Sequence, residues 1–445
     1  MDRAAGGGAH LSMDGTRVHG LVDHLFRREA GRMVSTLCRV FGPHNLELAE
    51  DVVQEALLRA LREWPFRGVP DDPRAWLGRV ARNRALDLLR RDAALARKAP
   101  LLAAEEGSGG EEAEVFFGGE VADDQLRMVF TCCHPAVPRE ARVALTLKTA
   151  GGFGVPEIAR AYLASETAVA QRLVRAKRRI RDAGARFEVP AGAELPERLD
   201  PVLEALYLMF NEGYAAASGE AALRADVCAE AVRLAELVAA HPATGVPRAH
   251  ALAALLLLQG ARLPARTDAA GDPVLLAEQD RSRWDAGMLA RGLAHLERAA
   301  EGDDLSRYHL EAGIAAVHAT APSYEATDWP YILGLYDALL AVKPSPVAAL
   351  NRAVAVSVVH GPEAGLRAAD EAAAHPSLAS YPLLHAVRGD LLARLGDPDA
   401  AAACFRRALG LPLSAPDRRM LEKRVRECGT AGNREQGTGN SLQRR

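Results

Sequence analysis

Apolar residues recur along nearly the whole chain at spacings of three and four, and almost nowhere at alternating positions. In the stretch SETAVAQRLVRAKRRIRDAG, residues 165–184, Val169, Leu173, Ala176 and Ile180 fall on one stripe of a helix. Gln171, Arg172, Arg175, Arg178 and Arg179 are left on its other faces. Ser165 is a good N-cap, and Glu166 complements the positive end of the helix dipole. A shorter helix precedes it in VPEIARAYLA, with Pro156 near the first turn and Ile158, Ala159, Tyr162 and Leu163 as its apolar set. Nearer the N-terminus, NLELAEDVVQEALLRALREWP starts at a plausible N-cap, Asn45. Its apolar positions are Leu48, Val52, Leu57, Leu58 and Leu61, with Asp51, Gln54 and Glu55 on a polar face, and Pro65 is expected to stop it. In DDPRAWLGRVARNRALDLLRRD, Asp72 is the cap and Pro73 the first helical residue. There Trp76, Leu77, Val80 and Leu88 form the core stripe, and Arg79, Arg82, Asn83, Asp87, Arg90 and Arg91 the polar face. With almost no segment rich in Val, Ile and Thr at alternating spacing, the fold class is all-α.

The helical pattern breaks at a few places that divide the chain. An Arg-rich block over residues 20–92 is followed by LLAAEEGSGGEEAEVFFGGEVADD, residues 101–124, an acidic stretch whose glycines read as a linker. A second block runs from Asp124 to Arg186 and ends at FEVPAGAELPERLDP, broken by three prolines. Ala- and Leu-rich helical sequence then continues from Val202 to about Cys428. Within it, Gly389, Gly396, Ala401, Phe405 and Ala408 keep the small-and-aromatic spacing of a helical-hairpin repeat of about 34 residues. Gly361 precedes Gly396 in near register, which predicts a helical solenoid. DWPYILGLYDALLAVKPSP reads as another helix closed by prolines, and no repeat unit is definable above Tyr308. In YLMFNEGY, Gly213 is expected to cap a helix, with a polar contact of Asn211 and Glu212 against the preceding blocks as the alternative. The end of the chain, GTAGNREQGTGNSLQRR, is polar enough to be a disordered tail.

Composition narrows the class. The chain has 445 residues, enough for two or three domains, with 49% hydrophobic, 25% charged and 5% aromatic residues and a formal net charge of −3. Against that near-neutral total, six Lys or Arg side chains lie between Arg172 and Arg181. No apolar core of a secretory signal stands at the N-terminus. The longest apolar run, Ala251 to Leu258, falls short of the roughly 20 residues that cross a bilayer. The expected localisation is cytoplasmic, with no membrane partner. Six cysteines scattered through the chain are no disulfide framework. TCCHP suggests a metal site, but no second Cys/His cluster lies at ligand spacing, so buried thiols at a helix end are expected. No nucleotide-binding glycine motif, H-E-x-x-H or G-x-S-x-G is present, so no catalytic residue, metal or cofactor is predicted, and the chain is read as a non-enzyme.

Two short helices joined by a tight turn, the second carrying polar and basic groups, are what a helix-turn-helix needs to enter a major groove. A solvated basic helix on a bundle surface is the bland alternative. The arginines of residues 73–91 likewise suit a phosphate backbone, and Asn and Arg also read base edges.

The segments AEDVVQEALLRAL and DPRAWLGRVARNRALDLLRR, then an acidic linker, then the helix-turn-helix ending VAQRLVRAKRRIR, resemble regions 2 and 4 of an extracytoplasmic-function (ECF) sigma factor. Such a factor is the promoter-specificity subunit of bacterial RNA polymerase. TCCHPAV, LDPVLEALYLMFNEGYAAASG and the helical remainder are similar to the ECF group with a C-terminal tetratricopeptide-like (TPR-like) extension. The resemblance implies sigma region 2 over residues 16–94, the acidic linker over 95–122, sigma region 4 over 123–187, a TPR-like helical domain over 200–428 and a tail over 429–445. It puts Asp51, Gln54 and Glu55 on the helix that binds the polymerase clamp helices. Arg79, Asn83, Asp87, Arg90 and Arg91 fall on the helix facing the minus-10 element. The loop from Trp64 to Asp71 lies where an extruded minus-10 base is captured, which suits the stacking and edge recognition open to melted bases. Ala168, Gln171, Arg172, Arg175 and Lys177 are the implied minus-35 contacts. Relatives often have Lys or Ser where this chain has Ala170 and Gln171. The linker resembles the connector threaded toward the RNA exit channel.

The implied partners are core RNA polymerase and promoter DNA, with the C-terminal domain docking within the chain to regulate it in cis. The runner-up reading is a helix-turn-helix activator with a peptide-binding repeat domain that is no polymerase subunit. A repeat scaffold with incidental basic helices is the third. A clamp-binding helix, for which an ordinary activator has no use, favours the first.

Overall fold

A computed structural model describes residues 29–95, 121–162, 164–214 and 224–439. Among them the only regular elements are helices, as the apolar spacing predicts. The chain forms two compact units, residues 1–205 and 206–445.

In the first unit, α1 covers residues 29–41. It is followed by α2 (Leu46–Arg67), α3 (Pro73–Leu95), α4 (Val121–Cys132), α5 (Arg139–Thr149), α6 (Val155–Tyr162) and α7 (Glu166–Asp182). α8 (Glu194–Tyr214) contains the boundary between the units. The buried stripe of α2 is Leu46, Ala49, Glu50, Val52, Val53, Ala56, Leu57, Ala60 and Trp64. Leu58, expected in that stripe, is 51% exposed, because the three- and four-residue steps through the alanines turn it to the opposite side. Pro65 does not end the helix: α2 continues to Arg67 and stops at Gly68, whose φ of 81° is the left-handed conformation that favours glycine. Pro65 forgoes one bond of the ladder, to the carbonyl four residues back, yet two more residues remain helical beyond it. Asn45 ends a short 3₁₀ turn and makes no side-chain cap; its Nδ2 donates to the Phe41 carbonyl at 2.6 Å. Asp72 does cap α3, accepting from the backbone N–H groups of Arg74 and Ala75 at 2.9 and 3.0 Å.

Two further expectations are revised around α8. Pro196 and Pro201 lie inside the helix instead of breaking the chain; Pro196 sits in the first turn, where a missing donor is tolerated. Gly213 is inside α8 as well and is no C-cap. A Cβ there would lie 2.8 Å from both the Arg224 carbonyl oxygen and the Cys228 Sγ, so the glycine permits a close backbone approach.

The second unit continues with α9 (Ala225–Ala240), α10 (Pro247–Gly260), α11 (Ala286–Ala299), α12 (Arg307–Thr320) and α13 (Trp329–Val342). Next come α14 (Pro346–Val359), α15 (Pro362–Ala373), α16 (Pro382–Arg394), α17 (Pro398–Leu409) and α18 (Ala415–Gly439). The long apolar run lies in α10, a helix buried on nearly every side. No helix among the described residues is long and apolar enough to cross a membrane. The register of Gly361 and Gly396 recurs in space: each joins the two helices of a hairpin, α14–α15 and α16–α17, with φ of 89° and 80°. Within the second hairpin Gly389 meets the Phe405 ring so closely that a Cβ would lie 2.6 Å from it. α18 runs past Cys428 into the segment expected to be a tail.

His318 on α12 packs edge-on against Trp329, with ring centroids 5.1 Å apart. Its buried Nδ1 has no hydrogen-bond partner. Burial, reinforced by the charges of Arg262 and Arg281, pushes its imidazole down to about 4. The folded state thus takes up this proton less readily than the unfolded chain, whose histidines titrate near 6.5. The stability the neutral ring preserves is complete above about pH 6.5 and is lost as pH falls toward 4, at about 1.4 kcal/mol per pH unit. The urea midpoint of the C-terminal unit is expected to fall between pH 7 and 4.5, and to fall by about 1 M less in His318→Gln. An identical pH dependence in the variant would assign the acid sensitivity to other groups.

Candidate nucleic-acid interface

Seating α3 on α2 through small residues sets the geometry of the first site. Leu77, Ala81 and Ala85 of α3 are wholly buried, so the remainder of its surface is left for polar groups. Arg79, Asn83, Asp87, Arg90 and Arg91 are exposed along it. Asp51 and Glu55 are exposed on α2, and Gln54 is half-buried. Glu55 is tied to α3 by a hydrogen bond from Arg84 Nε at 2.5 Å.

A cleft of about 360 Å³ between the two helices is lined by Glu55, Arg59, Trp76, Arg79, Asn83 and Asp87, among others. The Trp76 ring meets the buried Trp64 edge-on at 5.5 Å, and the Arg59 guanidinium lies 5.9 Å from its centroid. A ring, an amide and guanidiniums in one cleft are the groups that stack on bases and bond their edges. The loop expected over Trp64 to Asp71 is shorter than the sequence implies. Trp64 to Arg67 are helical, Trp64 is buried, and Phe66 projects at 87% exposure just before Gly68.

The second site is the helix-turn-helix of α6 and α7. Glu157 accepts a hydrogen bond from the Gly154 N–H at 2.7 Å at the start of α6, and Ser165 Oγ accepts from the Ala168 N–H at 3.2 Å at the start of α7. Val169, Leu173, Ala176 and Ile180 are the buried residues of α7, the same stripe that their spacing predicts. On its open side Ala168, Gln171 and Arg175 are exposed and Arg172 is half-buried. A second cleft, about 520 Å³, is lined by Ala136, Arg175, Arg178, Arg179, Asp182 and Ala183. Lys177 stands apart from this face: its Nζ pairs with the Glu50 carboxylate of α2, and both side chains are nearly buried.

Glu50 is a residue that the sequence reading left unassigned, although its step of four from Leu46 and three to Val53 puts it on the buried stripe. Arg39 of α1 and Asp124 of α4 are two more, joined at 3.0 Å. Asp124, 1% exposed in its side chain, also accepts from Arg127 at 2.9 Å. Burial raises its carboxyl above the ordinary range, against the pull of both arginines.

Cys132 and Cys133 are wholly buried at the end of α4, and Cys132 Sγ lies 2.8 Å from the Thr149 hydroxyl. Burial pushes the Cys133 thiol up to about 12, so both thiols pack as small apolar groups. The described residues hold no cluster of metal-ligating side chains. Most of the acidic linker, and the side chains of Tyr162 and Leu163, lie outside the described residues.

Residues 25–94 match sigma-70 region 2, residues 127–180 match sigma-70 region 4, and residues 198–300 match a family of unknown function (DUF6596). A protein of Rhizobium meliloti (strain 1021), described only as uncharacterised, is 43% identical over 387 residues, covering 86% of this chain and 90% of its own length. No solved structure matches the chain. The chain belongs to the same family as that Rhizobium meliloti protein, and its two sigma-70 regions give it the architecture and promoter-recognition role of an ECF-like sigma factor.

Proposed function

We propose that the chain is an ECF-type sigma factor that directs core RNA polymerase to its promoters, and that its TPR-like C-terminal extension regulates that activity in cis. The observation that carries this reading is the order of two polar faces. An α2–α3 pair with acidic and Arg/Asn surfaces is followed, past an acidic linker, by a helix-turn-helix whose second helix exposes Gln171 and Arg175. Asp51, Gln54 and Glu55 are the residues we assign to the polymerase. Arg79, Asn83, Asp87, Arg90 and Arg91 are assigned to the minus-10 element, and Ala168, Gln171, Arg172, Arg175 and Lys177 to the minus-35 element. Core RNA polymerase and promoter DNA are the partners, in the cytoplasm. The exposed arginines of α3 and α7 serve a polyanionic partner, whose phosphates supply affinity and whose base edges supply choice.

Three measurements test the assignment. Reversing charge at Asp51 and Glu55 together is expected to weaken binding to core RNA polymerase by at least about tenfold, the scale of 1.4 kcal/mol, with the circular dichroism spectrum unchanged because both residues lie away from the buried stripe. Unaltered core binding would remove this face from the interface. Arg172→Ala and Arg175→Ala are expected to cost about 1–3 kcal/mol on promoter DNA and much less on scrambled DNA, whereas Arg181→Ala flattens the salt dependence on both. Equal losses on the two DNAs would mean that α7 positions without reading.

For the extension, Gly389→Val forces a side chain against the Phe405 ring and is expected to destabilise the α16–α17 hairpin by about 1–3 kcal/mol. If the extension activates, promoter-directed transcription falls while core binding persists. Unchanged transcription from a demonstrably loosened hairpin would make the extension a passenger.

A further inference from the structure

Away from the nucleic-acid faces, the segment joining α10 to α11 gathers cations inside the second unit. The Val274 N–H donates to the Arg266 carbonyl at 2.8 Å and the Asp285 N–H to the Ala261 carbonyl at 2.9 Å, so the segment is folded back on itself. It carries Arg262, Arg266, Arg281 and the buried Trp284. The guanidiniums of Arg262 and Arg281 both lie over the Trp284 ring, 5.6 and 4.7 Å from its centroid, and that of Arg266 lies 3.7 Å from the ring centroid of Tyr214, at the end of α8. Tyr214 is tied into the same cluster: its hydroxyl donates to Gln259 Oε1 at 2.7 Å, which also accepts from Arg262 Nη1 at 3.3 Å. Arg281 closes the cluster on the α12 side, donating to the His318 and Ala321 carbonyls at 2.6 and 2.7 Å.

The cluster lacks the anions that such burial calls for. The acceptors reached by Arg262 and Arg281 are neutral amides and carbonyls, and no ion pair joins any of the three guanidiniums to a carboxylate among the described residues. The carboxylate whose charge reaches Arg281 is that of Glu325, exposed on the turn beyond α12. Burial, reinforced by the charges of Arg266 and Arg281, pulls the Arg262 guanidinium below its ordinary value. Three buried nitrogens of the cluster also have no hydrogen-bond partner: Arg281 Nη2, Trp284 Nε1 and His318 Nδ1. Buried donors in folded proteins are nearly always paired, and buried charges are paired or bound, so these groups leave an acceptor and a negative charge to be supplied from outside. Elsewhere in the unit the chain supplies its own counter-charges: Arg291 has Glu236 at 3.0 Å, and Arg352 has Asp337 at 2.6 Å. The three guanidiniums are half-buried and not sealed, so a small molecule can reach them.

We propose that this cluster is the binding site of a small polyvalent oxyanion, a phosphorylated or a di- or tricarboxylic metabolite, held by Arg262, Arg266 and Arg281 with Trp284 Nε1 as a further donor. Planar guanidiniums bond both kinds of group through two parallel N–H donors, and three cations beside a neutral imidazole suit more than one negative charge. Tyr214 lies in α8, the arginines in the α10–α11 segment and His318 in α12, so a bound anion joins three parts of the unit. The site belongs to the C-terminal unit alone and does not depend on the sigma-factor reading.

Isothermal titration of the full-length protein with inorganic phosphate and, separately, with citrate, at an ionic strength held constant with chloride, tests the site. At least one of the two is expected to bind with a Kd of about 1 mM or tighter. Phosphate alone identifies a phosphorylated ligand, and citrate alone a carboxylic one. Arg266→Gln and Arg281→Gln are each expected to weaken that binding at least about tenfold, and Trp284→Phe, which keeps a ring and removes the donor, by about threefold. Arg283→Gln, exposed in the same 3₁₀ turn as Arg281, and Arg291→Gln, already paired with Glu236, are expected to leave it unchanged. Arg281 also holds two backbone carbonyls, so if circular dichroism shows that Arg281→Gln has lost its fold, Arg266→Gln and Trp284→Phe decide. Failure of both anions to bind the wild type, or equal binding in every folded variant, overturns the site.

Discussion

Close approach of helices through alanine and glycine is the constraint on which the rest of this protein depends. Where the contact residue is Ala56, Ala81 or Ala85, a single narrow stripe seats one helix on another, and two thirds of each helix surface stays available for other groups. That is why α3 can carry arginines, an asparagine and an aspartate along one open side and still be held firmly by Leu77 and its alanine neighbours. The C-terminal unit uses the same device at Gly365, where a Cβ would lie 2.3 Å from the Ser357 Cβ, and at Gly389 against Phe405. Thin seams and wide faces leave polar groups on these helices open to a partner, as on α3 and α7.

Charge follows from that economy. A wide cationic face on α7 is costly to gather in isolation, since like charges within a Debye length repel. The chain answers with local counter-charges of graded strength. Asp182 lies 3.4 Å from Arg178 on the exposed surface, Glu47 lies at the rim, and Glu50 is buried. Exposed pairs of this kind contribute little, whereas removing one partner of the buried pair would leave the other charge buried and uncompensated.

What was legible in the sequence was whatever depends on local periodicity. The buried stripe of α7, its Ser165 cap, the Asp72 cap and the 35-residue offset of Gly361 and Gly396 are all consequences of neighbours in the chain, and the structure has them where the spacing puts them. The errors have a shared cause as well. Pro65 and Pro201 were read as breaks because a local rule was applied where packing overrides it, and Gly213 as a cap because its tertiary neighbour Cys228 lies on another helix. Leu58 was placed inside because leucine outranked alanine in marking the stripe, although Ala56 and Ala60 are the residues that are buried. Glu50 was passed over for the complementary reason. A carboxylate is assumed to be exposed, and a partner on α7, 127 positions away, offsets the burial of one of its oxygens, while Oε1 is buried with no hydrogen-bond partner.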